Sequence, residues 1–400
     1  MKKAFLPAAL AFCFLAAAVS AGTPAYEPLP EELRVLSKKG IDAIYAVDLP
    51  EAEKNFNLAL QKYPDHPFPT FGIAMAKWAN LEYLEDESDP KLQEEYSRLT
   101  DKAVDVGLAW IKKHPGDANA YLAVGGIYGL RSRLAVLQHR WFKAYFDGKK
   151  AISNTRMAAK IDPELYDAYL GLGMYEYYAG TLPGVIKFFA KLIMDGDAKK
   201  GLEYLNLCKE KGYFNALGAK LLLIEIYTQP GSPYADTAQA VKWARELRAE
   251  FPVHPQMHFV EIVSLYEDKK YEESRRESLA YLKAVEDGKP AYLKSYLPRV
   301  LTAIGTTYLV EKNYDEAADY FARAAAGLKT DPALHPDRWG VWAVVRLGNV
   351  YDLKGMRDKA LEFYRQAHAY KDEWGFSESI EAYLKKPYSA AALPGPMPPP

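Results

Sequence analysis

Residues 305–324 read GTTYLVEKNYDEAADYFARA, and residues 348–367 read GNVYDLKGMRDKALEFYRQA. Both stretches carry a glycine, a tyrosine, an alanine, an aromatic residue and a second alanine at identical spacings of 3, 9, 4 and 3. Small residues that recur at helical spacing allow two successive helices to cross closely, and the aromatic residue fills the gap between them. The pattern therefore predicts a repeated helical hairpin.

Two further stretches carry related spacings. Residues 40–64 place a glycine, an alanine, an aromatic residue, an alanine and a proline at intervals of 12, 4, 3 and 5, and residues 240–252 repeat the second half with 4, 3 and 5. The proline ends the second helix because it cannot continue one. These motifs resemble the tetratricopeptide repeat. The resemblance implies an all-α, right-handed solenoid of about eight antiparallel helix pairs.

The predicted solenoid spans residues 31–388. Its clearest repeats are 31–64, 214–252, 296–328 and 339–370, and two elongated pairs fill 117–212 with Gly126 as the small residue of the first of them. Cys208 falls on the second alanine position of its pair, which predicts that it is buried. Asp197 is expected to cap the helix that carries Gly201.

The two ends of the chain lie outside the predicted solenoid. Residues 4–21 form an uncharged run behind Lys2 and Lys3 and end in small residues, a layout typical of a secretory signal peptide. An uncleaved anchor is the alternative. We therefore expect an exported protein, periplasmic or secreted, in which a linker over 22–30 precedes the repeats. A proline-rich tail over 389–400 is expected to be disordered.

A glycine-punctuated central segment, from Asp167 through Gly180 to Leu202, weakly resembles tetratricopeptide-39 and Iml-type outer mitochondrial membrane proteins. Within it, residues 185–194 are amphipathic, and such a run either forms a core helix or lies on a membrane surface. The compartment implied by the resemblance differs from the one that the N-terminal run indicates.

Composition excludes several classes of function. The 400 residues carry 51 Lys plus Arg against 52 Asp plus Glu, so the bulk charge does not favour nucleic acid as a partner. No phosphate loop, dinucleotide loop, zinc motif or nucleophile motif is present, so we expect no enzymatic activity and no cofactor or metal. His254 and His258 are four residues apart, but Pro255 removes His254 from helical geometry.

Basic and aromatic residues cluster between residues 118 and 161. Eight cations face only Asp147 there, with Trp141, Phe142 and Phe146 among them. A cluster of this kind suits an acidic partner, an anionic lipid or an anionic envelope polymer, or it is a solvated face offset by neighbouring repeats. The cations are Arg131, Arg133, Arg140, Lys143, Lys149, Lys150, Arg156 and Lys160.

Three carboxylates interrupt apolar stretches of predicted first helices, namely Glu176, Glu225 and Glu261. A buried carboxylate needs a partner. Either these residues line an acidic, tyrosine-rich groove that binds a glycan or a basic peptide, or each pairs with a cation of a neighbouring helix.

The family resemblance makes a protein or peptide, bound on the concave face of the solenoid, the expected partner. An envelope glycan or an anionic lipid, bound through the tyrosine-rich middle and the basic 131–160 segment, is the alternative. Receptors for chaperone tails need a lysine and an asparagine on successive first helices, and the residues at these positions depart from that pattern. Thr302 and Thr306 replace the pair in one repeat, and Val345 replaces the lysine in the next.

Overall fold

A computed structural model describes residues 25–83, 90–138, 140–181, 196–328, 337–370 and 375–389. The predicted signal peptide, the 185–194 run and residues 390–400 of the tail lie outside the described residues. Seventeen α-helices form the described chain, and no strand occurs within these ranges. The helices are α1 Glu31–Tyr45, α2 Leu49–Lys62, α3 Pro67–Tyr83, α4 Pro90–Lys113, α5 Ala118–Leu137, α6 Trp141–Ile161, α7 Ala168–Thr181, α8 Ala198–Lys211, α9 Ala216–Tyr227, α10 Thr237–Glu250, α11 Pro255–Glu267, α12 Tyr271–Glu286, α13 Leu297–Val310, α14 Tyr314–Ala325, α15 Arg338–Leu353, α16 Arg357–His368 and α17 Ser377–Lys385.

Consecutive helices pack as antiparallel pairs through the predicted small and aromatic residues. In the α15–α16 pair, the ring of Tyr364 lies against Gly348, where a Cβ atom would overlap it. Phe321 occupies the same place against Gly305, and Phe56 lies against Gly40. All three aromatic side chains are fully buried. The spacing motif therefore marks the contact between the two helices of a pair, and the all-α solenoid that it predicts is confirmed.

The elongated pairs keep the same contact with other residues. In the α5–α6 pair the glycine that faces the second helix is Gly125, which lies against Thr155, whereas Gly126 lies against Phe71 of α3. Choosing Gly126 was wrong by one residue because two adjacent glycines offer the same small size to two different neighbours. In the next pair Cys208 is fully buried, as expected, and burial raises the pKa of its thiol to about 12.

Caps begin several helices. The Asp197 side chain accepts hydrogen bonds from the backbone N–H groups of Lys199 and Lys200, which confirms the predicted cap of α8. His254 precedes α11 and its Nδ1 accepts from the N–H of Gln256, so it lies outside the helix as Pro255 requires. Residues 25–30 precede α1, and the N–H of Glu27 donates to the carbonyl of Gly116 at 2.9 Å.

First helices of neighbouring pairs contact one another, as α1 does with α3 and α13 with α15. Contacts also skip pairs. Phe68, at the start of α3, lies 5.0 Å from Phe214, between α8 and α9, measured between ring centroids. Phe259 of α11 lies 5.5 Å from Trp339 of α15. The inner side of the solenoid is therefore filled in part by its own aromatic side chains.

Candidate functional site

Helix α6 is the element that presents the predicted basic and aromatic residues. Its inner face packs against α5 and buries Ala144, Thr155, Ala158 and Ile161. Because these residues share one side of the helix, the residues on the opposite side of α6, its outer face, point away from α5.

The N-terminal half of the outer face is aromatic. Phe142 is 84% exposed, Trp141 is 61% exposed and Phe146 is 58% exposed. Tyr145 is also exposed, and its ring meets that of Phe146 edge to face at 5.4 Å. Exposed apolar patches of this kind mark sites of interaction with proteins, ligands or membranes.

Two of the eight predicted cations form ion pairs with acidic residues of the chain. The buried carboxylate of Asp147 accepts a hydrogen bond from Nζ of Lys143 at 2.9 Å and lies 3.3 Å from Nε of Arg131. Arg131 also pairs with Asp101 at 3.1 Å. A buried charge is stable only when it is paired, so Arg131 and Lys143 serve the packing of α5 on α6.

The other cations lie on the surface. Arg133 is exposed, and its guanidinium lies 4.8 Å from the ring of Trp78. The remaining five are exposed and form no ion pair within the described ranges, namely Arg140, Lys149, Lys150, Arg156 and Lys160. Three of these stand over tyrosine rings, such as Arg156 over Tyr175 at 4.8 Å. Asp147 is the only acidic residue of α6, and it is buried. All charged side chains on the outer face of this helix are therefore positive.

The three predicted carboxylates lie on three different helices, α7, α9 and α11. Glu176 lies 3.3 Å from Nζ of Lys200, and Glu261 lies 3.6 Å from Nε of Arg245. Burial raises the pKa of Glu261, and nearby Glu277 raises it further. Glu225 is exposed and accepts a hydrogen bond from the Tyr178 hydroxyl at 2.9 Å, so the expectation that it is buried was wrong. Each carboxylate thus has a partner on a neighbouring helix, and two of these partners are cations.

In the C-terminal repeats, the side chains expected to line the concave surface are buried within the protein. Thr302, Thr306, Val345 and Asn349 stand at the positions that bind peptide tails in the related repeats considered above, and all four are buried. The Thr302 hydroxyl donates to the carbonyl of Trp339, across the gap between first helices. A partner therefore has no access to these side chains while the repeats are packed as they are here.

A buried hydrogen-bond network that the sequence analysis missed joins His66, the residue before α3, and α4 to the start of α5. The Asp117 carboxylate accepts from Nε2 of His66 at 3.0 Å, from the indole N–H of Trp110 at 2.9 Å and from the N–H of Ala120 at 2.9 Å. Burial opposes the charge of Asp117, and His66 and the other donors outweigh that effect, so its pKa is lowered. The Asp-Ala-Asn start of α5 was the available signal, because an aspartate there is a typical cap. The network is structural.

Groups of three or more His, Cys, Asp or Glu side chains suited to a metal ion do not occur among the described residues. None of the described helices has the length and apolar character needed to cross a bilayer.

A tetratricopeptide-repeat family model matches residues 343–373, which include most of α15 and all of α16. This is one of the repeats that the spacing motif predicts. No curated protein matches the sequence of the chain.

Several solved structures share the helical-repeat architecture at low identity. The human IFIT1 dimer with m7Gppp-AAAA is 11% identical with a TM-score of 0.47, over 90% of this chain and 86% of that one. NprR in complex with its cognate peptide NprX is 13% identical with a TM-score of 0.41, over 90% and 83%. A tetratricopeptide repeat protein from Parabacteroides merdae is 14% identical with a TM-score of 0.33, over 76% and 96%. Similarity at this level does not identify a partner.

Proposed function

We propose that this chain, a tetratricopeptide-repeat protein, is a non-enzymatic scaffold of the cell envelope that binds an acidic segment of another protein through the outer face of α6. The supporting observation is the exposure of Trp141, Phe142 and Phe146 beside unpaired cations on the same helix face. Exposed aromatic residues act as anchors that are buried on binding, and they contribute most of the affinity of many interfaces.

Charge defines the class of partner. The exposed cations of α6 have no exposed acidic residue beside them on that helix. An acidic segment is therefore attracted to this face electrostatically. Lys149 and Lys150 follow the aromatic cluster by one turn, which suits an amphipathic segment with apolar residues at one end and carboxylates at the other.

The proposed surface differs from the concave face that the family resemblance implies. First helices α11, α13 and α15 are buried along most of their length, whereas the outer face of α6 is open to solvent. Export to the envelope is part of the proposal and is supported by the sequence of residues 1–21.

Site-specific crosslinking in cells tests the proposal. A photoreactive phenylalanine analogue placed at Phe142 is expected to capture one dominant protein. The same analogue at Leu279, an exposed apolar residue of α12, serves as the matched control and is expected to capture none of it. Equal capture from both sites, or no protein captured from position 142 by a folded chain, would overturn the proposal.

A charge reversal provides a second test. Lys149→Glu with Lys150→Glu should weaken binding of the captured partner by roughly tenfold or more at low salt, because it places two negative charges in the cationic face. The control is Lys112→Glu with Lys113→Glu, another pair of exposed adjacent lysines, on α4. An equal loss in both double variants, measured by titration of the purified partner, would show that only net charge matters.

An anionic membrane surface is the second candidate for the same face. Aromatic side chains followed by lysines are typical of helices that lie at a lipid interface. Sedimentation with vesicles of phosphatidylglycerol but not of phosphatidylcholine, without a protein crosslink from position 142, would favour this candidate. Binding of a labelled single-stranded oligonucleotide, measured by titration with the purified chain, would instead contradict the prediction that nucleic acid is not a partner.

A further inference from the structure

The end of the described chain folds back onto the last repeat. After α17 the chain turns, and Tyr388 becomes buried, with 5% of its surface exposed, although Pro387 and Ser389 on either side are exposed. A single buried residue between two exposed ones shows that the segment is held at one position and is not packed along its length.

A backbone hydrogen bond and an aromatic contact hold Tyr388. Its N–H donates to Oδ2 of Asp352 at 2.8 Å. Its ring meets that of Tyr383 edge to face at 5.4 Å. Burial raises the pKa of Tyr266 on α11, Arg346 lowers it and Tyr388 is among the groups that raise it, which places both groups within electrostatic range of Tyr266. The Tyr388 ring therefore packs against α17, and its backbone is held by the last residues of α15.

The acceptor for the segment is built by the fold itself. The side chain of Asp352 has no exposed surface, and it also accepts from Arg357 at 2.9 Å and from the Tyr364 hydroxyl at 2.9 Å. Arg357 in turn donates to the carbonyls of Tyr383 and Leu384, which fixes the end of α17. A buried, oriented carboxylate next to aromatic side chains can accept a hydrogen bond from one backbone N–H of an extended segment. The aromatic side chains can pack against one aromatic residue of the same segment.

We propose that the pocket formed by Asp352, Arg357, Tyr364 and Tyr383 is a peptide-binding site that the chain's own Tyr388 fills, and that an extended segment of another protein binds there in its place through a tyrosine. The site is separate from the outer face of α6. Tyr388 and its neighbours therefore act as an internal competitor, which lowers the apparent affinity of the site for such a partner.

Replacement of the internal competitor tests the proposal in the full-length chain. A labelled peptide with the sequence of residues 385–391, Lys-Lys-Pro-Tyr-Ser-Ala-Ala, is titrated against the wild type and against Tyr388→Ala. The variant is expected to bind at least tenfold more tightly than the wild type, and the same peptide with Ala in place of Tyr is expected not to bind. Lys386→Ala, a change at an exposed neighbour of Tyr388, should behave as the wild type. Equal binding by Tyr388→Ala and the wild type, with unchanged circular dichroism, would overturn the proposal.

A measurement on the unaltered chain covers the case in which Tyr388→Ala disturbs α17. Chymotrypsin cleaves after Tyr388 only when the ring leaves its pocket. An excess of the same peptide, made resistant by methylation of its serine nitrogen, should speed this cleavage severalfold by keeping the pocket filled. A rate that does not change across the peptide titration would show that the pocket does not accept a segment in trans.

Discussion

At the scale of single residues, a buried histidine makes the stability of the chain depend on pH. His258 is 2% exposed, its Nδ1 is 3.1 Å from the Tyr292 hydroxyl, and its Nε2 is 3.7 Å from a Glu277 oxygen. Burial disfavours the charged imidazolium most, Arg248 and Lys289 repel it, and the Glu277 backbone favours it. Burial dominates at such low exposure and lowers the pKa of His258 to about 3, so the residue is neutral in the folded chain near neutral pH.

This residue predicts a loss of stability in mild acid. A histidine in the unfolded chain has a pKa of about 6.5, whereas that of folded His258 is about 3. Between these two pH values, His258 binds a proton in the unfolded chain but not in the folded chain. The contribution of His258 is fully present above pH 6.5 and is lost as the pH falls, at up to about 1.4 kcal/mol per pH unit. His258→Gln, which cannot titrate, should therefore show a shallower decline in the free energy of unfolding from pH 7 to pH 5, measured by urea titration.

The exposed His368 provides the control for that measurement. His368→Gln should keep the wild-type dependence on pH. Parallel curves for His258→Gln and the wild type would mean that His258 binds protons equally in the folded and unfolded chains, so that burial does not lower its pKa.

At the scale of the helix pair, two glycines of similar appearance have opposite roles. A Cβ atom at Gly348 would overlap the buried ring of Tyr364, whereas a Cβ atom at Gly129, in the middle of α5, would meet no neighbour within 4 Å. Gly348→Ala should destabilise the chain by about 1–3 kcal/mol through overpacking. Gly129→Ala should stabilise it by about 0.5–1 kcal/mol because alanine favours the helix. Urea titration of both variants tests the difference, and a change of the same sign in both would contradict the assignment of the glycine at position 348 to a helix crossing.

The same contrast explains how much could be predicted from the sequence. Spacing alone identified the contact between Gly348 and Tyr364, because residues of one helix pair are close in the chain. It also placed the cations of α6 together, since they share one helix. It did not predict that Glu225 is exposed or that Asp352 holds Tyr388, because these outcomes depend on how separate elements approach one another. Thr302 and Val345 were read as groove positions for the same reason, as the spacing does not show how tightly the repeats curve.

At the scale of the whole molecule, that curvature brings distant repeats into contact. In a solenoid with an open inner side, each repeat touches only its neighbours, and stability is a sum of local terms. Here the guanidinium of Arg34 in α1 lies 4.3 Å from the ring of Tyr213, and Tyr45 lies 6.2 Å from Phe251, at the end of α10. The first repeat is therefore stabilised by residues about 200 positions later, as well as by the adjacent pair.

Truncation of the residue at the centre of this contact should destabilise both parts of the chain. Phe214→Ala removes a buried ring that packs on Phe68, with an expected loss of about 3–5 kcal/mol. Hydrogen exchange followed by mass spectrometry should then become faster in residues 31–83 as well as around the substitution. Phe321→Ala is the control, because that ring packs against Gly305 within its own pair, and its effect should stay within residues 255–353. If Phe214→Ala changes exchange only in residues 196–250, the first repeat is stabilised by its neighbours alone, and the inner contacts do not couple the repeats.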